Sequence, residues 1–246
     1  MLNFLFPKEC LVCSKTGSWL CRICQKKLYT TLPSCYICRK LSNDFKTHRV
    51  CCETNSLDSI TTFWKYNECS KSLIHNFKYK NRFKIGDFLF SLFENKLKKF
   101  DFTNSLLVPI PSHRKKTLER GFNPTEIISE LIAQRVEADI DFNLLSKKET
   151  SSSQASLSYE QREENVKDVF GVNSFAISKI KEYNEIVIID DTITTGSTLN
   201  EVCKKIREAL EEEINIKGIC LFQGSFKQKN EHSKFLQSNK EKEKEV

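Results

Sequence analysis

Apolar and polar positions along the chain follow two rhythms. From Leu57 to Tyr66 apolar residues and threonines alternate, which predicts a strand. Ser72-Leu73-Ile74-His75-Asn76-Phe77-Lys78-Tyr79-Lys80 follows as an amphipathic helix with a basic end. Ile85, Phe88, Leu89, Leu92, Phe93 and Leu97 recur at helical spacing, so a second helix is expected to about Phe100, its Phe/Leu stripe facing a core. Leu106 to Pro111 is a short buried strand halted by proline. Asn123-Pro124-Thr125-Glu126 has the marks of a helix start: a capping Asn, Pro in the first turn and an early Glu. Ile127, Ile128, Leu131, Ile132 and Val136 form the apolar face of that helix. Between strand and helix, His113 to Gly121 is strongly cationic and predicts a loop. Glu185 to Ile189 is a near-continuous β-branched run, as a strand covered on both faces should be. A helix carrying Leu199, Val202, Ile206 and Leu210 follows, then a last apolar strand from Lys217 to Phe222. These elements describe an α/β core.

Composition sets limits on this picture. A chain of 246 residues has room for one medium domain and a small satellite. At 39% hydrophobic and 29% charged it has an ordinary soluble balance, and 7 Gly with 5 Pro argue against low complexity. No apolar run approaches the roughly 20 residues of a membrane helix. Met1 to Lys8 lacks the basic start of a secretion signal, so a cytoplasmic location is expected. The net charge of +7 fits phosphate-rich partners as well as it fits a lysine-rich solvated surface. From Lys227 the chain is charged and poor in apolar residues, which predicts a disordered tail.

The 11 cysteines change the picture at the amino end, because nine of them precede residue 70. In a cytosolic chain such clustering favours metal over disulfides. Cys10-x-x-Cys13 and Cys21-x-x-Cys24 are two knuckles, each presenting two sulfurs from one tight turn. Four thiolates complete a tetrahedral Zn²⁺ site and leave no open position for catalysis, so the zinc is expected to be structural. A second set is less regular. Cys35-x-x-Cys38 is a clean knuckle, but Cys51 and Cys52 are adjacent, and Thr54 stands where the fourth cysteine would fall. Cys35, Cys38 and Cys51 with either His48 or Cys52 could complete a second zinc site.

Basic residues gather around the first two helices. Lys78, Lys80, Arg82 and Lys84 are interleaved with Phe77, Tyr79 and Phe83. This segment fits a solvated helix end, and it also fits a grip on a nucleic-acid backbone with an aromatic ring to stack a base.

The most specific chemistry follows the β-branched strand, in Asp190-Asp191-Thr192-Ile193-Thr194-Thr195-Gly196-Ser197-Thr198. A carboxylate accepts hydrogen bonds from vicinal ribose hydroxyls, and a pair of them can help hold Mg²⁺ through water. Thr194, Thr195, Ser197 and Thr198 offer hydroxyl donors, while Gly196 lets backbone amides approach a phosphate at a helix start. The Gly-Lys-Ser/Thr of a Walker A loop is absent. The cationic stretch from His113 to Gly121, between a strand's carboxyl end and a helix start, is where α/β proteins bind anions.

Asp190-Asp191-x-x-Thr194-Thr195-Gly196-Ser197-Thr198 resembles the phosphoribosyl pyrophosphate signature of type I phosphoribosyltransferases. Val108-Pro109-Ile110-Pro111 followed by Arg120-Gly121-Phe122-Asn123 is similar to the hallmark of one branch, the ComF competence proteins. Gln154, Leu157, Arg162, Asn165 and Phe170, the double cysteine module and Ile74-His75-x-Phe77-Lys78-Tyr79 resemble the same branch. The resemblance implies a parallel sheet with helices on both faces over residues 57–226, preceded by a zinc-ribbon module in 1–56 and followed by the tail 227–246. It implies that Asp190 and Asp191 bind the ribose diol with Mg²⁺ nearby, and that Thr194 to Thr198 hold the 5′-phosphate. Arg114, Lys115 or Arg120 would meet the pyrophosphate, and residues 150–162 would cover the site. The sequence departs from the branch at Thr54, which breaks the second knuckle, and at Thr192, which replaces an apolar residue. Three functions follow from the resemblance. The first is a cytosolic competence factor that binds phosphoribosyl pyrophosphate and single-stranded DNA during natural transformation, working with DNA-uptake proteins. The second is an enzyme transferring phosphoribose to a nucleobase or amine with release of pyrophosphate. The third is a sensor that binds phosphoribosyl pyrophosphate without turnover.

Overall fold

A computed structural model describes residues 7–52, 56–79, 82–148, 168–210 and 213–225, with Arg82 and Phe83 described in backbone only. Lys80, Thr54, the expected cover 150–162 and the tail from 227 lie outside these residues.

β6 (Glu185–Ile193) runs along the middle of the molecule because its side chains are apolar on both faces. Ile186 and Ile188 point into one core, Val187 and Ile189 into another, and all four are 2% exposed or less. Burying each such side chain stabilises by about 1.5–3 kcal/mol, so this strand anchors two layers at once. Its neighbours share the alternation. β2 (Ser105–Pro109) sends Leu107 one way and Leu106 and Val108 the other, and β7 (Asn215–Gln223) does so with Ile219 and Cys220. With β1 (Ser59–Lys65) and the two-residue β3 (Asp139–Ile140) they form a five-stranded sheet in the order β1-β7-β6-β2-β3, parallel at every pairing.

Helices cover both faces, as parallel strands require. On one side lie α2 (Glu68–Tyr79), α3 (Arg82–Leu97) and α5 (Pro124–Val136), which contribute Leu73, Phe77, Leu89, Phe93, Ile128 and Ile132. On the other lie α6 (Ser174–Ile180) and α7 (Ser197–Ala209), with Ile180, Val202 and Ile206. A separate antiparallel pair, β4 (Leu145–Lys147) and β5 (Phe170–Val172), stands at the two ends of the segment expected to cover the site.

The cysteine module, which contains the one-turn helix α1 (Arg22–Gln25), is stitched along the edge of β1. The Thr31 amide donates to the Phe63 carbonyl at 3.1 Å, and the Lys65 amide donates to Tyr29 at 2.8 Å. Lys46 bridges Ser59, and the Thr47 amide donates to the Asp58 carbonyl at 2.8 Å. An open edge strand is a template for unwanted pairing, and the module covers this one. It also straddles the sheet. Cys10, Leu20 and Cys24 join the core under α2 and α3, while Tyr36 joins the core under α7.

Two expectations are corrected. The cationic stretch after β2 is not a loop: Arg114–Arg120 forms α4, a helix of 7 residues. Lys, Arg, Leu and Glu are good helix formers, and Gly121 at φ 74° ends the helix in the left-handed conformation that glycine adopts freely. The strand that delivers the acidic pair also continues past Ile189 to Ile193, because Thr192 and Ile193 go on pairing with Phe222 and Gln223 of β7.

Candidate functional site

Asp190 and Asp191 lie in the carboxyl-terminal half of β6, towards the edge of the sheet where open α/β folds bind ligands. Both are half-buried, and the Asp191 amide donates to Asp190 Oδ1 at 2.7 Å. Burial, and next to it the Asp191 charge, push the Asp190 carboxyl up to about 7, against the pull of Lys78 and Lys147. Asp191 carries an ion pair with Lys78, which reaches over from the end of α2. Lys78, expected to face nucleic acid, is thus turned onto the acidic pair. Lys84 is exposed, and the side chain of Arg82 is outside the description.

The chain then turns from strand to helix. Gly196 has φ 88° and is the residue before α7, whose 13 residues run from Ser197. Thr195 Oγ1 lies 2.7 Å from Ser197 Oγ and accepts the Ser197 amide at 3.2 Å, so the loop is closed on itself. Thr194 is exposed, and Thr195, Ser197 and Thr198 are half-buried. The hydroxyls and the amide-rich start of α7 make this a neutral cradle with favourable helix potential for an anion. A Cβ on Gly196 would sit 2.9 Å from Cε2 of Tyr36, in a backbone conformation that costs an L-residue about 1–2 kcal/mol. Gly196→Ala is therefore expected to lower thermal stability by at least that amount and to open the loop, as read by calorimetry.

Arg120-Gly121-Phe122-Asn123 has a separate task for each residue. Arg120 donates to the Tyr79 hydroxyl at 3.0 Å with its guanidinium 4.9 Å from the ring centre, and this hydrogen bond holds the Tyr79 phenol below its ordinary range. Gly121 ends α4. Phe122 meets Phe77 edge-on at 6.0 Å. Asn123, 2% exposed, caps α5 by accepting the Thr125 amide and donates back to Ile110 at 3.1 Å, tying the helix start to the end of β2. Arg114 and Lys115 are exposed on α4.

Two cations at the site carry no motif. Lys147, at the end of β4, is half-buried with its ammonium 4.9 Å from the Phe170 ring centre. Burial lowers its pKa, against the attraction of Asp190. Lys116 on α4 lies near enough to repel Lys147. The only sequence signal for Lys147 is its place just before the Ser-rich stretch.

Both cysteine sets have the geometry of metal centres. In the first, one sulfur from each of Cys10, Cys13, Cys21 and Cys24 lies within 4.8 Å of the others. The Cys21 amide points at Cys10 Sγ from 3.5 Å. Burial disfavours a Cys10 thiolate, but the amides of Cys21, Val12 and Cys13 outweigh it and bring the thiol down to about 6. A sulfur that faces amide donors suits Zn²⁺, while burial pushes the Cys24 thiol of the same set up. In the second set the fourth partner is His48, not Cys52: Cys35, Cys38, His48 and Cys51 converge within the same 4.8 Å. His48 Nδ1 is 3.2 Å from Cys38 Sγ, while Nε2–H donates to the Leu41 carbonyl at 3.0 Å, the outer contact that orients a metal-binding imidazole. Cys52 is exposed and outside the converging group, so the histidine fills the place that Thr54 leaves.

A family model described as PRTase-CE matches residues 65–246. Competence protein F of Haemophilus influenzae is 30% identical over 233 residues, 89% of this chain and 99% of that protein. The chain belongs to the ComF family of competence proteins. Two further relatives match at lower identity. Competence protein ComFC of Streptococcus pneumoniae is 26% identical over 184 residues, covering 74% of this chain and 77% of its own. DNA utilization protein YhgH of Escherichia coli is 23% identical over 209 residues, covering 80% and 90%. The parallel sheet, the strand-to-helix loop and the cysteine sets therefore belong to a ComF protein with a phosphoribosyltransferase-type core. Among its described residues no helix is long and apolar enough to cross a membrane.

Proposed function

We propose that this ComF protein binds phosphoribosyl pyrophosphate with Mg²⁺ and engages single-stranded DNA in the cytoplasm, alongside DNA-uptake proteins, during natural transformation. The observation that carries the reading is the acidic pair at the end of β6, which runs directly into a hydroxyl-lined loop at the start of α7. Asp190 and Asp191 are acceptor-only groups when ionised, suited to two ribose hydroxyls, and their hard oxygens suit Mg²⁺. The loop from Thr194 to Thr198 suits a monophosphate, because amides and hydroxyls meet its charge without a lysine. Lys78, Lys116, Arg120 and Lys147 offer positive charge for a pyrophosphate, with Arg114 and Lys115 on the outer side of α4. The DNA part of the reading draws on the names of the relatives and on the basic segment that includes Lys80, Arg82 and Lys84. That segment directly follows Lys78 in sequence, so the end of α2 and the start of α3 would serve the two ligands.

Fluorescence anisotropy of a labelled single strand across a salt series tests this. Affinity should fall as salt rises, with a log–log slope of about −0.7 per phosphate contact, and Lys84→Ala should reduce the slope by about one such step. Binding no tighter than that of a charge-matched control protein would exclude the DNA reading.

A further inference from the structure

The second cysteine knuckle does more than fold its own ribbon. Tyr36 lies between the ligands Cys35 and Cys38, 100 or more positions from the phosphate loop in sequence, yet it is 1% exposed and packed onto that loop. Its ring touches the open side of Gly196, where a Cβ would lie 2.9 Å from Cε2 and 3.0 Å from Cδ2. Its hydroxyl donates to Asn200 Oδ1 at 2.5 Å, in the first turn of α7, and accepts the Leu57 amide at 3.2 Å. Arg39, just past the knuckle with φ 61°, donates through its guanidinium to the Thr194 carbonyl. The knuckle turn holds both residues in place: the Arg39 amide donates to the Cys35 carbonyl at 2.9 Å, and the Cys35 amide to Lys40 at 3.0 Å. One side of the loop is thus gripped at three points: the Thr194 carbonyl, the Gly196 α-carbon and the Asn200 side chain.

We propose that Tyr36 and Arg39 are positioning residues for the phosphate loop, and that metal held by Cys35, Cys38, His48 and Cys51 thereby tunes how tightly a phosphorylated sugar binds. The physical basis is preorganisation. A Gly-containing loop with φ near +90° has many alternatives when free, and a ligand that must select one of them loses affinity in proportion to its population. Metal fixes the Cys35–Cys38 turn, the turn fixes Tyr36, and the ring leaves Gly196 one conformation. Coupling of this kind is reciprocal, so a ligand in the loop must tighten the metal by the same factor. The proposal depends on the phosphoribosyl reading only for the identity of the ligand.

The test uses the full chain loaded with zinc. Hydrogen exchange of residues 194–200 reads the grip itself, and titration with phosphoribosyl pyrophosphate and Mg²⁺ reads its consequence. Tyr36→Leu, with both zinc equivalents retained by metal analysis, is expected to speed exchange in this segment and to weaken binding about fivefold or more. Tyr36→Phe, which keeps the ring on Gly196 and loses the hydroxyl's bonds to Asn200 and from the Leu57 amide, should recover most of the affinity, and Arg39→Gln should fall between them. Competition with a chelator should show one of the two zinc equivalents held more tightly, by a similar factor, when phosphoribosyl pyrophosphate is present. Unchanged exchange in Tyr36→Leu and Arg39→Gln overturns the proposal, as does zinc affinity indifferent to a ligand that binds. Faster exchange in a protein whose wild type binds no phosphoribosyl pyrophosphate supports the grip and overturns the phosphoribosyl reading instead.

Discussion

Asp190→Asn is expected to make the protein more stable and at the same time to abolish its stabilisation by phosphoribosyl pyrophosphate. The two signs have one cause. Burial and the Asp191 charge raise the Asp190 carboxyl to about 7, well above the roughly 3.9 of an unfolded chain. Between those two values the folded state holds a proton that the unfolded state releases, so stability falls as pH rises from about 4 to about 7 and then levels off. Asn removes that loss, and the gain in melting temperature should be fully present above pH 7 and should shrink towards pH 4. Ligand binding needs the opposite protonation state, because ribose hydroxyls donate and only the ionised carboxylate offers acceptors alone. Each charge-assisted hydrogen bond lost contributes about 1.5–3 kcal/mol, a factor of roughly 10 to 150 in affinity. In the wild type, affinity should accordingly rise from pH 6 to pH 8, and in Asp190→Asn it should be low and flat. Thermal melts across this range, with and without phosphoribosyl pyrophosphate and Mg²⁺, give both signs in one experiment. Ligand stabilisation in Asp190→Asn equal to that of the wild type would remove the acidic pair from the site.

The elements that were legible in the sequence are those whose signal is local. Ile186 to Ile189 announce a strand covered on both faces because each side chain meets a core. Asn123-Pro124 announces α5 because cap and first turn are neighbours in the chain. The parts that were not legible depend on contacts across long stretches of chain. The bond from Tyr36 to Asn200 spans 164 positions and that from Arg39 to Thr194 spans 155, so no spacing rule finds them. The same holds for Lys147, placed near Asp190 by β4, and for Lys78, whose basic neighbours suggested an outward face although its ammonium turns onto Asp191. The stretch from Arg114 to Arg120 misled for a different reason. Its charge density suggested a loop, but the helical propensity of Lys, Arg, Leu and Glu, with a glycine to stop it, decides the conformation. Among the metal ligands, the choice of His48 over Cys52 depended on which side chain the turn at Arg49–Cys51 carries inward, and the sequence order of the candidates does not contain that information.

Removing metal from the first cysteine set should have the largest effect on the fold itself, unlike loss of the second, whose consequence is expected mainly in the phosphate loop. Cys10 and Cys24 are 2% and 3% exposed and belong to the same core as Trp64, Leu73 and Phe77. The ribbon around them has almost no regular structure of its own beyond the four residues of α1, so without zinc little apolar area would hold it together. Structural zinc in small ribbons contributes about 10–16 kcal/mol of binding free energy, comparable with the roughly 5–15 kcal/mol that holds a whole domain folded. The opposite core, beneath α6 and α7, contains neither Cys10 nor Cys24, so the sheet should outlast the ribbon. Cys10→Ser/Cys24→Ser is therefore expected to melt at least ~10 °C lower, since each kcal/mol shifts a chain of this size by about 2–4 °C. It should also bind a hydrophobic dye and aggregate, because loss of the ribbon uncovers Trp64 and bares the edge of β1 at Phe63 and Lys65. Calorimetry, dye fluorescence and light scattering read these outcomes. A metal-free protein that melts with the wild type and stays monomeric would show that packing alone holds the ribbon, and would confine any role of the first metal to something other than folding.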